Sequence, residues 1–372
     1  MRRILLIITV LLLAAPAVPA ATVAGPVKIG VILPITGPAA PYGEAALQGI
    51  RLAHEHQPTV LGRPVKLLVA DNRSDKIESS SAANRLIQRD KVAVIIGPLS
   101  SSTTMAAGPV AEKAGVPLVT GWATNPVVTR GKKYVFRTCF IDPFQGRVAA
   151  NFALRDLGAK TAAMLIDNSR DYSVGLAAFF QRAFVAGGGK IVIKSLYGAH
   201  DQDFSAQLGA IKSKNPDVIY LPGYFPQLPL IIRQAREMGL KQPFLGGDAA
   251  QADEVLKIGG QAVEGLMLTT HFDESGATTA AGKRYAAAYR AKHKKAPDAM
   301  GALGYDTYMI VLAAIAKAGS LQADKIVAAL EATQGFAGVC GMTNIHGHDA
   351  VKPAVILKVK DGKYVYVTTV EP

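Results

Sequence analysis

From Val27 onward, short runs of β-branched and aliphatic residues alternate with longer stretches in which apolar residues recur every three or four positions, the periods of strands and of amphipathic helices. The run Val27–Leu33 predicts a first strand, and 42–56 a first helix whose Ala46, Ile50 and Ala53 form one stripe. The alternation predicts further strands over 65–69, 92–96, 116–120 and 134–138, and helices over 78–89 and 101–114. A second series opens at Asp142-Pro143, read as an N-cap acceptor followed by a residue whose fixed φ suits the first helical position. It predicts strands over 162–166, 191–196, 218–221, 244–246 and 266–269, with helices between them. The clearest helix covers 228–238, where Leu228, Ile231, Ile232, Ala235 and Met238 keep the 3,4 spacing and Gly239 supplies the stop. After Phe272 the pattern turns helical over 278–293, 301–318 and 323–333, and Asp361-Gly362 between two alternating runs predicts a closing hairpin.

Two successive βα series predict an α/β protein with two Rossmann-like lobes, each a parallel sheet flanked by helices, and a cleft between them. The last three helices and the hairpin are too few for a third domain, so they are expected to be shared between the lobes. A chain of 372 residues with 49% hydrophobic and 19% charged residues buries enough apolar surface for two domains and excludes bulk disorder. Met1-Arg2-Arg3 precedes the apolar run from Ile4 to Ala15, and Val18-Pro19-Ala20 ends it with small residues. This is the pattern of a cleaved secretory signal peptide over 1–20, and a bacterial periplasm is the expected destination. Neither cysteine lies near the cleavage site to carry a lipid, so the mature protein is expected to be freely soluble.

Dinucleotide, P-loop and hydrolase-elbow signatures are absent from the sequence, and no nucleophile, base or metal constellation stands out. The reading is therefore a protein that catalyses no reaction and needs no cofactor or metal. His54-Glu55-His56 places its imidazoles at i and i+2, which do not face each other on a helix, and is read as solvated surface. His346-Gly347-His348 falls in an expected turn. The basic clusters 130–133 and 292–295 help bring the formal net charge to +13 but lack interleaved aromatics, so no nucleic-acid partner is expected. Cys139 and Cys340 leave two alternatives open, a disulfide that export would permit or two buried thiols.

Ligands of open α/β sheets sit beyond the carboxyl ends of the strands. There the chain places Pro98-Leu99-Ser100-Ser101-Ser102-Thr103 at an expected helix start, a natural seat for a carboxylate. The next such loop carries Trp122 and Thr124. The second series contributes Asp171-Tyr172 and, after Phe244-Leu245-Gly246-Gly247, Asp248. Hydroxyls and amides from one lobe, with an acid and a tyrosine from the other, suit a zwitterion.

Lys28-Ile29-Gly30-Val31, Thr36-Gly37, Tyr42-Gly43, Ile96-Gly97-Pro98, Phe136-Arg137-Thr138, Asp142, Gln145-Gly146, Asp203-Phe204 and Gly246-Gly247-Asp248 follow in this order behind the leader. In this the chain resembles the leucine/isoleucine/valine-type periplasmic binding proteins of branched-chain amino acid ABC transporters, over essentially all of residues 26–372. The resemblance implies a type I binding-protein fold with three crossings, near 138–142, 270–272 and 342–349. It divides the chain into one lobe of 26–140 plus 272–345 and a second of 141–271 plus 346–372. It implies that Ser101 and Thr124, with main-chain groups at Trp122, hold an α-carboxylate. Asp248 would hold the α-ammonium with Tyr172 nearby, and Tyr42, Tyr224 and Phe272 would surround the side chain. The implied function is a monomeric periplasmic receptor that delivers a free amino acid to an inner-membrane ABC permease. The large Trp122 and the short acid Asp248 depart from the commonest pattern and leave the side chain open. The rivals are the same fold binding an aromatic carboxylate, amide or urea, and a ligand-sensing module for a regulator. The two cysteines fall near implied crossings, where a bridge would span the hinge.

Overall fold

Val27–Leu33 forms the predicted strand and becomes an inner strand of a six-stranded sheet, paired in parallel with Arg63–Asp71 on one side and Val94–Ile96 on the other. Leu118–Thr120 and Val135–Arg137 extend it in parallel, and the two-residue strand Thr59–Val60 closes the far edge antiparallel. The computed structural model describes residues 25–372, so the signal-peptide reading of 1–20 lies outside the described residues. A second sheet of seven strands runs in the order Lys363–Val370, Ala354–Lys360, Met267–Thr270, Phe244–Gly246, Val218–Leu221, Thr161–Asp167 and Lys190–Tyr197. Its last five strands are parallel, and the hairpin at its edge is antiparallel. Asp361 and Gly362 both take positive φ (53° and 67°), which matches the right-handed twist of the hairpin they join.

Of the late helices, Ala299–Ala318 packs on the first sheet, and the closing hairpin pairs with the second. Ala299–Ala318 lies against Ala40–His56, and the backbones approach so closely that a methyl at Gly49 would sit 1.8 Å from the Gly301 carbonyl oxygen. Only glycine fits there. Ala299–Ala318 is long and apolar enough to cross a membrane by composition, but 78% of it is buried as a core helix of this protein. His54 and His56 are not merely solvated: their Nδ1 atoms lie 2.9 Å from the Tyr308 and Tyr305 hydroxyls of that helix.

Between the two sheets the chain forms a small antiparallel sheet that the pattern did not predict, Phe336–Gly338, Gly341–His346 and Asp349–Val351. Each strand is short, with only three to six residues, which leaves little period to read. Gly347 and His348 form its tight turn with φ of 53° and 74°, and the His348 ring stacks on Phe136 at 4.1 Å. The same neighbourhood decides between the two cysteine alternatives. Cys139 and Cys340 are both free and buried, and neither takes part in a disulfide. Each thiol packs as a small hydrophobe in the apolar core, and burial pushes that of Cys139 up to about 12.

Arg137 ties this junction together. Its buried guanidinium donates to Asp349 Oδ1 (2.6 Å), to the carbonyls of Ala123 and Asn125 (2.7 and 2.9 Å) and to Thr129 Oγ1 (2.8 Å). It thereby fixes the loop that carries Trp122 and Thr124 to the small sheet. Arg137→Met should destabilise the protein by about 3 kcal/mol, the low end for breaking a buried pair because Asp349 is partly exposed and can rehydrate. The shift of the urea midpoint measures it, and an unchanged midpoint would show that the loop holds without Arg137.

Candidate functional site

The site forms where strand ends of both sheets face each other. Val94–Ile96 leads to the helix Ser101–Ala114, whose N-cap is Ser100: its Oγ accepts from the Thr103 N–H at 3.3 Å. Capping therefore falls to Ser100. Ser101 Oγ instead accepts the Asn125 N–H at 3.2 Å, which leaves its hydroxyl proton free to donate. Leu118–Thr120 leads to the next loop. Thr120 Oγ1 donates to the Pro98 carbonyl (2.8 Å) and accepts from the N–H groups of Trp122 and Ala123, locking the two loops together. The Trp122 indole N–H donates to the Met300 carbonyl at 3.0 Å, which pins the ring as a chamber wall.

From the second sheet, Phe244–Gly246 delivers Asp248, which is only 4% exposed. Its Oδ1 accepts from Gln145 Nε2 (2.9 Å) and from the Tyr172 hydroxyl (2.8 Å), and His271 Nε2 lies 3.2 Å from Oδ2. Gly247 makes this possible, since a methyl there would come within 2.3 Å of the Tyr172 oxygen. Burial alone would raise the Asp248 carboxyl, but His271, Gln145 and Tyr172 outweigh it and hold the group below its usual range. Burial lowers His271 and dominates over its carboxylate neighbour, so the imidazole is held neutral. Asp248 is thus an anion with one acceptor position on Oδ2 to spare.

The structure brings Tyr42, Ser101, Trp122, Tyr172, Tyr224 and Asp248 together around one small chamber of about 20 Å³. Thr124 lies behind this wall, fully buried, with its Oγ1 lacking a hydrogen-bond partner among the described residues. Phe272 does not join the chamber. It packs edge-on to Tyr285 and borders a different cavity beside Cys340 and Pro353, because the chain turns away after Thr270. A second chamber of about 120 Å³ shares Tyr42, Leu99, Ser100 and Tyr224 with the first and runs out to Asp167 and Arg170. Arg170 also stands over the Tyr224 ring at 5.9 Å.

The two faces already touch. The Tyr42 hydroxyl accepts the Phe225 N–H (3.0 Å) and donates to the Ala249 carbonyl, while Ser102 Oγ donates to Asp171 Oδ2 (2.7 Å) and Asn125 Nδ2 to the Asp171 carbonyl (2.9 Å). The sequence reading missed Gln145 and His271 as partners of Asp248, and Asn125 and Ser102 as cross-cleft contacts. Gln145 stood in a quoted motif, but nothing in one sequence pairs it with residue 248. Asp142 is also corrected: it is the first residue of its helix, Ile141 holds the cap position, and the carboxylate caps nothing.

The periplasmic binding protein family model matches residues 26–363. The Leu/Ile/Val-binding protein BraC3 of Rhizobium johnstonii is 33% identical over 306 residues, covering 81% of this chain and 82% of that protein. The leucine-binding protein LivK of Thermotoga maritima superposes with a TM-score of 0.91 at 46% identity, covering 93% of this chain and 99% of that one. LivJ of Streptococcus pneumoniae in complex with isoleucine gives 0.88 at 32% identity, covering 93% and 100%. A solute-binding protein of Rhodopseudomonas palustris in complex with 3,4-dihydroxybenzoic acid gives 0.83 at 27%, covering 92% and 97%.

The Asp248–His271 pair makes stability fall with acid. Both folded-state pKa values lie below the unfolded ones, so the unfolded chain binds more protons and stability is lost as pH falls, first below about 6.5 through His271 and then below about 3.9 through Asp248. His271→Gln should flatten the decline of Tm between about pH 6.5 and 5. An equally steep decline in the variant would remove His271 from this role.

Proposed function

The chain belongs to the periplasmic binding protein family, and from that premise we propose that it is a receptor for a free α-amino acid of the branched-chain or other aliphatic class. It binds the zwitterion between its lobes and delivers it to an inner-membrane ABC permease, working as a soluble periplasmic monomer and catalysing no reaction. The lobes comprise 26–140 plus 272–345 and 141–271 plus 346–372. The observation that carries the reading is the buried Asp248 anion, with one acceptor position left, facing the N-terminus of the helix Ser101–Ala114 across the chamber.

The two ends of that chamber suit opposite charges. A helix N-terminus with the free Ser101 hydroxyl favours a carboxylate. A buried carboxylate favours an ammonium, whose desolvation only a paired charge offsets. Tyr42, Leu99 and Tyr224 line the way from this head-group site into the larger chamber, where an aliphatic side chain fits between apolar walls. The relatives named for leucine, isoleucine and valine, and the isoleucine complex of LivJ, support the class. An aromatic carboxylate, as in the Rhodopseudomonas protein, would leave Asp248 without the ammonium that matches it.

Closure follows from binding. The cross-cleft bonds of Tyr42, Ser102 and Asn125 are few, and a ligand held from both sides adds contacts that only the closed form makes.

Protein unfolded and refolded to strip carried-over ligand should be stabilised by leucine, isoleucine or valine by about 2.7 kcal/mol at a hundred times Kd. Asp248→Asn should abolish that thermal shift. Stabilisation by benzoate and not by any amino acid would move the protein to the aromatic-acid class.

A further inference from the structure

The last connector of the chain buries a lysine without a partner. Lys352 follows Asp349–Val351 of the small sheet and precedes Ala354–Lys360 of the second sheet, and it is only 1% exposed. Its Nζ has no hydrogen-bond partner among the described residues, carboxylates included. Thr343, next to the Asn344–Val351 pair on the facing strand, buries its Oγ1 in the same condition. Resting on the amino-acid reading above, we propose that Lys352 is a latch that favours the open receptor: its ammonium is stranded when the lobes are closed, as here, and meets the Asp306 carboxylate when they part.

Asp306 is the acid placed to receive it. It lies on the helix Ala299–Ala318 and is 2% exposed. Its Oδ1 and Oδ2 accept the N–H groups of Val339 and Cys340 at 2.6 and 2.8 Å, so each oxygen keeps a lone pair to spare. By the division proposed above, Asp306 moves with the first lobe and Lys352 with the second. The turn that Asp306 holds is also the one on which the connector rests, since a methyl at Gly341 would lie 2.8 Å from the Pro353 ring. The other titratable groups around Lys352 are the Cys139 and Cys340 thiols and His271, none of them an anion. Burial raises the Asp306 carboxyl and outweighs Lys352 and the two N–H donors, as befits charges that stop short of contact.

A buried ammonium without a paired charge is heavily disfavoured. Opening completes the pair, so the cost falls on the closed arrangement alone. The empty receptor therefore rests open, and the contacts a ligand makes with both lobes offset the penalty on closing. Apparent affinity is reduced by the fraction of receptor that is ready to bind. Removing the charge while keeping the bulk lifts the penalty, so resting shape and affinity change together.

Small-angle X-ray scattering and calorimetry on the refolded mature protein test this. Without ligand, Lys352→Met should have a smaller radius of gyration than the parent, close to that of the leucine-bound parent. It should also bind leucine about tenfold tighter, the scale of one hydrogen bond to a charged group. A ligand-free variant as extended as the parent, with leucine affinity within about twofold, would overturn the proposal and leave Lys352 a structural group, whose loss lowers stability without moving either readout. Should Lys352→Met fail to fold, the parent decides: a ligand-free radius equal to the leucine-bound one overturns the latch. A larger ligand-free radius sustains it where Asp306→Asn shrinks that radius, and overturns it where Asp306→Asn does not. A parent that binds no amino acid fails at the preceding reading, while the ligand-free radii of parent and variant still decide this one.

Discussion

Asp248 carries a negative charge at a place where 96% of its surface is shut off from water, and the site is organised around making that tolerable. A carboxylate in such a setting persists as an anion only when donors replace its hydration. Here three donors come from three separate segments: Gln145 from the helix after the first crossing, Tyr172 from the start of the helix Asp171–Ala186, and His271 from the residue following Met267–Thr270. Each has a supporting condition of its own. Gln145 is held again by Thr269 at 2.9 Å, His271 is stacked on Phe140 at 3.7 Å, and Tyr172 reaches the carboxylate only past the bare backbone of Gly247. The second sheet is therefore tied to its own junction segments through this one buried group.

The first sheet presents a different kind of surface. Its contribution is backbone and hydroxyl: a helix start capped by Ser100, a loop locked by Thr120, and an indole anchored on Met300. None of these groups needs a counter-charge, so these three contacts are complete without ligand. The asymmetry has a mechanical consequence. One face offers hydroxyls and backbone, the other a fixed buried charge, and what joins them is a handful of hydrogen bonds, each worth about 1 kcal/mol net, with one exposed ion pair, Lys76–Asp171 at 3.5 Å. A zwitterion bridging both faces changes that balance by more than any of those contacts.

Legibility followed the length of the signal. Val27–Leu33 and Val218–Leu221 match their predicted bounds because β-branched runs between turn residues leave no other reading, and the helix from Leu228 ends at Glu237, one residue short of the predicted Met238. The small sheet over 336–351 was illegible because two of its strands have three residues and the third only six, too few to show a period. Among side chains, residues that follow a strand could be found by position alone, as Ser101, Trp122 and Asp248 were. Phe272 could not be separated from them, since nothing local reveals that the chain turns its ring toward Tyr285. Asp142 misled for a physical reason: Asp before Pro is the pattern of a capped helix start, and only the tertiary structure shows that Ile141 takes the cap position and leaves the carboxylate facing inward. The pairing of Gln145 and His271 with Asp248 depends on contacts across 103 and 23 positions, which spacing along one chain does not encode.

That division also says where ligand identity is decided. The head-group chamber is too small and too constrained to vary: Trp122 is held by its own N–H, Tyr172 by Asp248, and Tyr42 by the backbone of both Phe225 and Ala249. The adjoining chamber of about 120 Å³ is bounded by Pro34, Leu99 and Pro226 and by Tyr224, whose ring is in turn covered by Arg170. Its apolar walls carry no directional demand, so methyl and methylene groups gain there by area alone, about 25 cal/mol per Å². Branched side chains then differ from one another by little, whereas removing the ammonium strands a buried charge at a cost of several kcal/mol. A protein built this way discriminates sharply between amino acids and simple carboxylic acids, and only gently among aliphatic side chains.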